Sequence, residues 1–419
     1  MKRKAFLLGA VLAMSGIGLF AQETPNYHEL SGQSLNPNVI TTAVPFVSIS
    51  PDARGGAMGD CGVSSEADVY SMNYNPAKYT YLTEPFSVGL GYSPWLHNLV
   101  PDMHLAYLAA AGKLDAESSL AGTLRYFNVG QIKFTDENGT SLGEFNPNEW
   151  ALDLTYSRML TDYLSGAVAG RFIYSNLTQG QGGAEGSFPG WSVAADVAVY
   201  YKRPVEWFRD MEADFAWGVC VNNIGSKVSY RSTSIDKDFI PTTLRFGPSM
   251  KLHLDEYQTL SFMVDVTKLL VPTPPLYKRG PNGAYEVDAN GNLVIEEGMS
   301  DDVSVMVGIL HSFYDAPGYS YNDYGEKVGM GKFYEELCEY NVGLGVEYWY
   351  NNAFSFRAGY FNETALKGNR KYITLGAALK YNVLGLDVSY LVPVNGKVGT
   401  NPLEHTLRFN LSYTMPTDK

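Results

Sequence analysis

From residue 85 onward the chain alternates between apolar and polar positions. In 405–415, Leu407, Phe409, Leu411 and Tyr413 share one face, while Arg408, Asn410 and Ser412 share the other. In 372–383, Ile373, Leu375, Ala377, Leu379 and Tyr381 oppose Thr374, Gly376, Lys380 and Asn382. The same split separates Trp191, Val193, Ala195, Val197 and Val199 from Ser192, Ala194 and Asp196. It also separates Leu244, Phe246, Met250, Leu252 and Leu254 from Arg245, Lys251 and His253. Successive side chains of a strand point to opposite sides, so each segment is a strand with one oily and one polar face. Runs of this kind predict strands near 86–96, 103–114, 119–135, 148–160, 164–177, 190–202, 214–230, 242–255, 259–271, 339–350, 353–363, 372–383, 386–392 and 405–415.

A soluble sandwich alternates too, but two features favour a transmembrane barrel. The oily faces recur in runs of roughly 9–11 residues, the length of a tilted membrane-crossing strand. Aromatic residues crowd their ends, as in Tyr92 with Trp95, Trp150 with Tyr163, Trp191 with Tyr201, and Trp349 with Tyr350. Those are girdle positions. The polar faces carry Arg125, Asp153, Arg171, Asp196, Arg245, Asp265, Glu347, Arg357, Asp387 and Arg408, which are expected to pair inside a wet lumen. Tight links fall at 115–118, 161–163, 256–258, 351–352 and 384–385, and longer ones at 136–147, 178–189, 231–241, 272–338, 364–371 and 393–404. Outer-membrane barrels keep short turns in the periplasm and long loops outside. On that rule 203–213 is an exception, a longer link on the short side.

The apolar run 303–310 (VSVMVGIL) competes for a further strand. An extra crossing would put the link at Asn351 and Asn352 outside and leave the chain ends on opposite sides. It is therefore assigned to one large extracellular insertion, 272–338, containing a short helix or hairpin. The expected fold is an all-β, antiparallel transmembrane barrel of about 14 strands over residues 85–415.

The amino terminus fits export. Lys2, Arg3 and Lys4 precede an apolar, small-residue stretch, 5–21, of secretory-signal length, with cleavage expected after Ala21. Mean hydropathy is not that of a helical membrane protein, while Tyr (30), Phe (20) and Gly (42) are abundant. Removing Lys2, Arg3 and Lys4 moves the formal charge from −13 to −16, which argues against a nucleic-acid partner. Cys61, Cys220 and Cys338 are too few and too scattered for a disulfide scaffold or zinc cluster, although one bridge between an unspecified pair is compatible with export.

Enzymatic motifs are weak. GTSLG at 139–143 places Ser141 as a nucleophile in G-x-S-x-G, but it follows an Asn-Gly turn signal between two strands and is assigned to a loop. Asp288, Asn290 and Asn292 have calcium-loop spacing, but Leu293 stands where the loop needs glycine. The chain is expected to be no enzyme and to need no cofactor or metal. Exposed aromatic and apolar residues in the long loops are the candidate partner contacts: Phe188, Pro189 and Trp191, Leu276 and Tyr277, and Tyr314, Tyr319, Tyr321 and Tyr324.

Residues 45–84 do not alternate and are rich in glycine and small polar residues. Such a block before the first strand is suited to plug the lumen, and 22–84 is taken as an N-terminal extension and hatch. PDARGGAMGD at 51–60 and DVYSMNYNPAKY at 68–79 resemble the hatch of FadL-like barrels, with Arg54, Gly55, Gly56, Gly59, Asn75 and Pro76 as its marked positions. More narrowly they resemble the PorV family of the Bacteroidetes type IX secretion system. ITTAVPF (40–46), HSFYDAPG (311–318), 342–361, 367–393 and NPLEHTLRFNLSYT (401–414) extend the resemblance over nearly the whole mature chain. FadL-like transporters often carry Asn-Pro-Ala-Gly at the hatch, whereas Lys78 follows Ala77 here, a departure from the transporter pattern.

The resemblance implies an integral outer-membrane protein that binds the C-terminal signal domains of secreted cargo through its extracellular loops. It implies further that cargo is received from a Sov/SprA-like translocon and passed to a surface attachment complex with PorU sortase and PorZ- and PorQ-like members. A FadL-like transporter of hydrophobic small molecules is the competing expectation.

Overall fold

The computed structural model describes residues 39–97, 100–135, 141–177, 188–207, 211–230, 237–280, 284–289, 291–321, 327–394, 403 and 406–416. The proposed signal stretch 1–21 and Tyr324 lie outside these residues.

Fourteen strands close into one antiparallel barrel in which every neighbour in sequence is a neighbour in space. They are β1 (Phe86–Pro94), β2 (His104–Lys113), β3 (Ser118–Asn128), β4 (Asn148–Met159), β5 (Leu164–Asn176), β6 (Gly190–Trp207) and β7 (Met211–Gly225). They continue as β8 (Thr243–His253), β9 (Gln258–Leu269), β10 (Tyr340–Tyr350), β11 (Phe354–Asn362), β12 (Lys371–Tyr381), β13 (Leu384–Pro393) and β14 (Leu407–Thr414), which pairs with β1. Closure gives every barrel strand two neighbours, the condition a sheet must meet in hydrocarbon. The oily faces point out: Leu152, Leu154 and Tyr156 on β4, and Phe354 and Phe356 on β11, are exposed to the surroundings. Between them Asp153, Thr155, Ser355 and Arg357 are buried inside.

Girdles form where the alternation predicts them. At the long-loop end Trp150 lies 5.5 Å from both Phe172 and Tyr174. At the short-turn end Tyr201 lies between Tyr163 and Trp217, at 6.3 and 5.8 Å. Two girdle assignments change. Trp349 faces the lumen, 6% exposed, with the Arg357 guanidinium 5.5 Å from its ring centre, because parity sends Tyr348 and Tyr350 outward instead. Trp95 follows β1 and packs against the cluster around Phe46.

Two connections differ from expectation, and the 303–310 run keeps to it. Strand β3 stops at Asn128, and Ile132–Thr135 forms a separate hairpin with Ser141–Phe145. Ser141, assigned to a loop, thus opens a hairpin strand. The segment 203–213 is not a long link: β6 and β7 run on as a hairpin with Val205 opposite Ala213 and Trp207 opposite Met211. Pro204 signals a break only where its missing N–H is needed. Beyond Tyr201, which pairs with Leu164, that edge of β6 has no ladder to join. The run 303–310 holds helix Val305–His311 and crosses no membrane. Asn351 and Asn352 take left-handed φ values of 53° and 51°, which turn β10 into β11.

Candidate functional site

The lumen is occupied by residues 43–82. Their path starts at the long-loop end, where Ala43 N–H donates to Phe239 O (2.8 Å) and Phe46 stacks on Phe127 at 6.2 Å. It ends at the short-turn end, where a tight 3-10 segment, Pro76–Tyr81, meets the wall. Asn75 caps that segment by accepting from Ala77 N, and its amide nitrogen donates to Val199 O of β6 (2.9 Å). Pro76 follows as first residue, where a missing N–H costs nothing. Wall serines donate to its open carbonyls: Ser157 to Pro76, Ser165 to Ala77 and Ser119 to Tyr79, at 2.8–3.0 Å.

Midway lies helix α1 (Ala53–Ala57), capped by Asp52, whose carboxylate accepts from Gly55 N at 2.7 Å. Gly55 fits against Tyr74 and Gly56 against Arg408, so the marked glycines are contact points. Gly59 has φ +67° and passes so close to Gly359 of β11 that a Cβ on Gly359 would collide with the Gly59 nitrogen. Burial, with the Asp68 charge adding to it, pushes Asp52 up to about 6. Burial pushes the Lys78 ammonium down to about 8, and it donates to Gly62 O (2.7 Å) and Ser65 Oγ (2.9 Å). The departure at Lys78 therefore ties two turns of the hatch together.

The charges predicted to pair across a wet lumen largely hold the hatch. Arg54 donates through Nε and Nη2 to both Glu347 oxygens (2.9 and 2.7 Å), and through Nη1 to Asp68 and Glu66 O (3.0 Å each). Asp265 accepts from Gly62 N and Val63 N at 2.7 and 2.8 Å. Arg125 donates to the Phe46, Val47 and Ile49 carbonyls and to Asn73. Arg245 lies over the Tyr74 ring, 5.6 Å from its centre. Pairing within the wall also occurs, as Arg171 with Asp153 and Asp196, and Arg357 with Glu347 and Asp387. Beside Asn73, Arg171 and Arg245 a cavity measures about 10 Å³, the room of a single water.

The long-loop end carries the hairpin after β3 and, above all, residues 270–339 between β9 and β10. This insertion contains α2 (Val305–His311), α3 (Lys332–Cys338) and two small hairpins, one pairing Leu276–Tyr277 with Ile295–Glu297 and the other Tyr319–Tyr321 with Lys327–Gly329. Phe188, Pro189 and Tyr314 are exposed. Leu276, 2% exposed, is interior to the insertion and closed to a partner. Tyr277 meets Tyr285 edge-on, and Tyr319 is covered by the Lys327 ammonium at 4.3 Å. Trp191 is exposed on the outward face of β6, a wall position and not a loop one. The backbone of Tyr321 pairs with Lys327.

A family model described as type IX secretion system protein PorV matches residues 32–276, more than half of the chain. The chain belongs to the PorV family. No curated protein matches it. Among solved structures it is similar to the toluene transporter TodX of Pseudomonas putida, with TM-score 0.46 and 10% identity over 88% of this chain and 98% of that one. It is also similar to the toluene transporter TbuX of Ralstonia pickettii, with TM-score 0.43 and 11% identity over 86% and 97% of the two chains. A FadL homologue of Pseudomonas aeruginosa gives TM-score 0.41 and 10% identity over 90% and 99%. As a PorV-family barrel the protein is an outer-membrane component of the type IX secretion system.

The hatch positions named from sequence come together in this PorV-family barrel: Arg54, Gly55, Gly56 and Gly59 on one plug segment against β10 to β14, and Asn75 and Pro76 below it. The loop residues do not form one cluster. Sequence reading missed Met306, Leu310, Phe333, Tyr334 and Leu337, which are exposed on α2 and α3. Their signal was the i, i+4 spacing of apolar residues inside a segment judged only by its length and its tyrosines.

Proposed function

We propose that this outer-membrane protein is a non-enzymatic carrier. In this reading it binds the folded C-terminal signal domains of type IX cargo at its long-loop end, on the cell surface. It takes them from the translocon and delivers them to the sortase-bearing attachment complex. The observation that carries the reading is the way the hatch is bonded to the wall at several depths of the lumen, which leaves the loop end as the variable surface. Loops on a rigid scaffold are the usual place for binding function. The short turns, by the rule for such barrels, face the periplasm.

Deleting 276–298 or 314–330 tests the reading. A folded, heat-modifiable barrel should persist in the outer membrane while cargo accumulates unprocessed and unanchored. Normal cargo processing with either trimmed loop counts against that loop, and normal processing in a full deletion of the protein eliminates the carrier role. Altered uptake of an apolar solute with normal secretion would favour transport instead.

A further inference from the structure

The insertion folds over the outside of the barrel. On β9, Ser261, Met263 and Asp265 face the lumen, whereas Phe262, Val264 and Val266 face out. Without a bulge in the ladder, the same parity puts Lys268 on the outer face, opposite Tyr340 of β10. A lysine there should be wet, yet Lys268 is 0% exposed. The insertion covers it: its ammonium reaches Glu339 (2.5 Å) and Glu336 (3.4 Å) and lies 5.7 Å from the centre of the Phe313 ring.

The two helices of this cover are turned the wrong way for water. Gly308 of α2 packs on Phe239 and Pro272, and buried Glu335 of α3 accepts from Gly318 N (2.7 Å) and from Lys367 (3.0 Å). The opposite sides are oily. Met306 and Leu310 (62% exposed) stand one turn apart on α2, and Phe333 (77%), Tyr334 and Leu337 form a stripe on α3. An exposed apolar patch on both helices marks a binding surface and not a solvent face.

We infer that α2 and α3 are an interfacial anchor whose oily sides sit among the acyl chains of the lipid leaflet at the long-loop end. Continuity with the lipid-facing wall argues for lipid. Lys268 is two residues above Val266 on the same outward row, a rise of about 7 Å. Interfacial helices bury their apolar side by about that depth at the headgroup boundary. Lys332, exposed next to Phe333, is placed for an anionic headgroup. The inference rests on the membrane-barrel assignment and not on which cargo is carried, so it can fail while the carrier reading stands.

The test is collision-accessibility spectroscopy on the full chain in vesicles of phosphatidylethanolamine and phosphatidylglycerol. Single cysteines at Leu310, Phe333 and Leu337 are spin-labelled, with Asp302 as an exposed control. The native cysteines are buried and free, so unsubstituted protein provides the blank. Labels at the three helix positions should collide several-fold more with oxygen than with a nickel chelate, and the label at Asp302 should show the reverse. Nickel-chelate access at all three positions overturns the inference. So does shielding from both reagents in native outer membranes that is absent in vesicles, because a protein partner would then be the occupant. Phe333→Trp, an aromatic exchange that preserves folding best, gives a second readout: quenching by brominated acyl chains supports the anchor, and quenching by aqueous iodide alone refutes it.

Discussion

Replacing Arg54 by methionine should loosen the hatch without opening the barrel. Methionine keeps most of the side-chain length but removes the charge-assisted bonds to Glu347 and Asp68 and the bond to Glu66 O. The Glu347 side chain, 1% exposed, then lies buried with Arg357 as its remaining cation at 2.8 Å. Removing one member of a buried ion pair costs about 3–5 kcal/mol. Because Glu347 keeps Arg357 and Asp68 keeps partial contact with solvent, the low end applies, about 3 kcal/mol. That corresponds to roughly a hundredfold rise in the undocked hatch population. Since Arg54 takes no part in the strand ladder, the loss falls on the hatch. Hydrogen exchange at Gly62 and Val63, whose amides donate to Asp265, should accelerate by that factor while β-strand amides and heat-modifiability stay unchanged. Adding Glu347→Gln removes the stranded charge and should recover most of the protection. Unchanged exchange at Gly62 and Val63 in the single variant would refute the reasoning, since the hatch would then be held by packing alone.

Three further outcomes are expected. Gly359→Ala should push Gly59 and Met58 off the wall and make 53–62 accessible to protease in a barrel that still forms; full protection would show that the close approach is dispensable. A cysteine at Pro189 or in 284–289 should label on intact cells with an impermeant maleimide while one at Asn351 should not, and the opposite pattern would invert the orientation. Burial, with the Glu339 and Glu336 charges adding to it, raises Asp315 from 3.8 to about 7. The folded insertion therefore binds more protons than the unfolded chain between those values. Its docking should weaken as pH rises from about 4 to about 7, read as protease cleavage within 270–339. Asp315→Asn should flatten that dependence, and an unaltered pH profile in the variant would remove Asp315 as the cause.

Much of the barrel was legible because its signal is local. Period two, strand length and turn residues are set within ten residues of chain, and one lipid-facing row per strand leaves little freedom in register. The misassignments came where a local signal has two physical meanings. Pro204 breaks a central strand but not an edge, so the β6–β7 hairpin was longer than read. Trp349 is aromatic at a strand end, but its parity turns it to Arg357. The hatch was legible as a block and its glycines as contact points, since only small residues permit such approach. Its partners were not: nothing near Asp265 in sequence announces that two amides from 62 and 63 will meet it. Long-range pairing of this kind is decided by closure of the whole barrel.

That pairing bears on what the lumen can do. Arg125 holds the hatch carbonyls at the long-loop end, Glu347 and Asp265 hold it midway, and Ser119, Ser157 and Ser165 hold it at the short-turn end. Each bond contributes only about 1 kcal/mol net, but they lie at different depths, so no single one is a latch. A passage along the axis would require releasing on the order of ten at once and leaving buried wall charges such as Glu347 without hatch partners. A hatch built this way favours a barrel closed to passage along its axis. The insertion outside β9 and β10 is where loop geometry can vary, because its helices meet the wall through Lys268 and the loop before β8 through Gly308, and are not part of the ladder. Lys268→Met should therefore remove the wall cation from Glu339, which keeps Lys367, and from Glu336, loosen the cover on the wall and alter cargo processing. Arg54→Met, acting on the hatch, should leave processing unchanged while the barrel holds. Equal defects from the two would mean that hatch and insertion act as one unit.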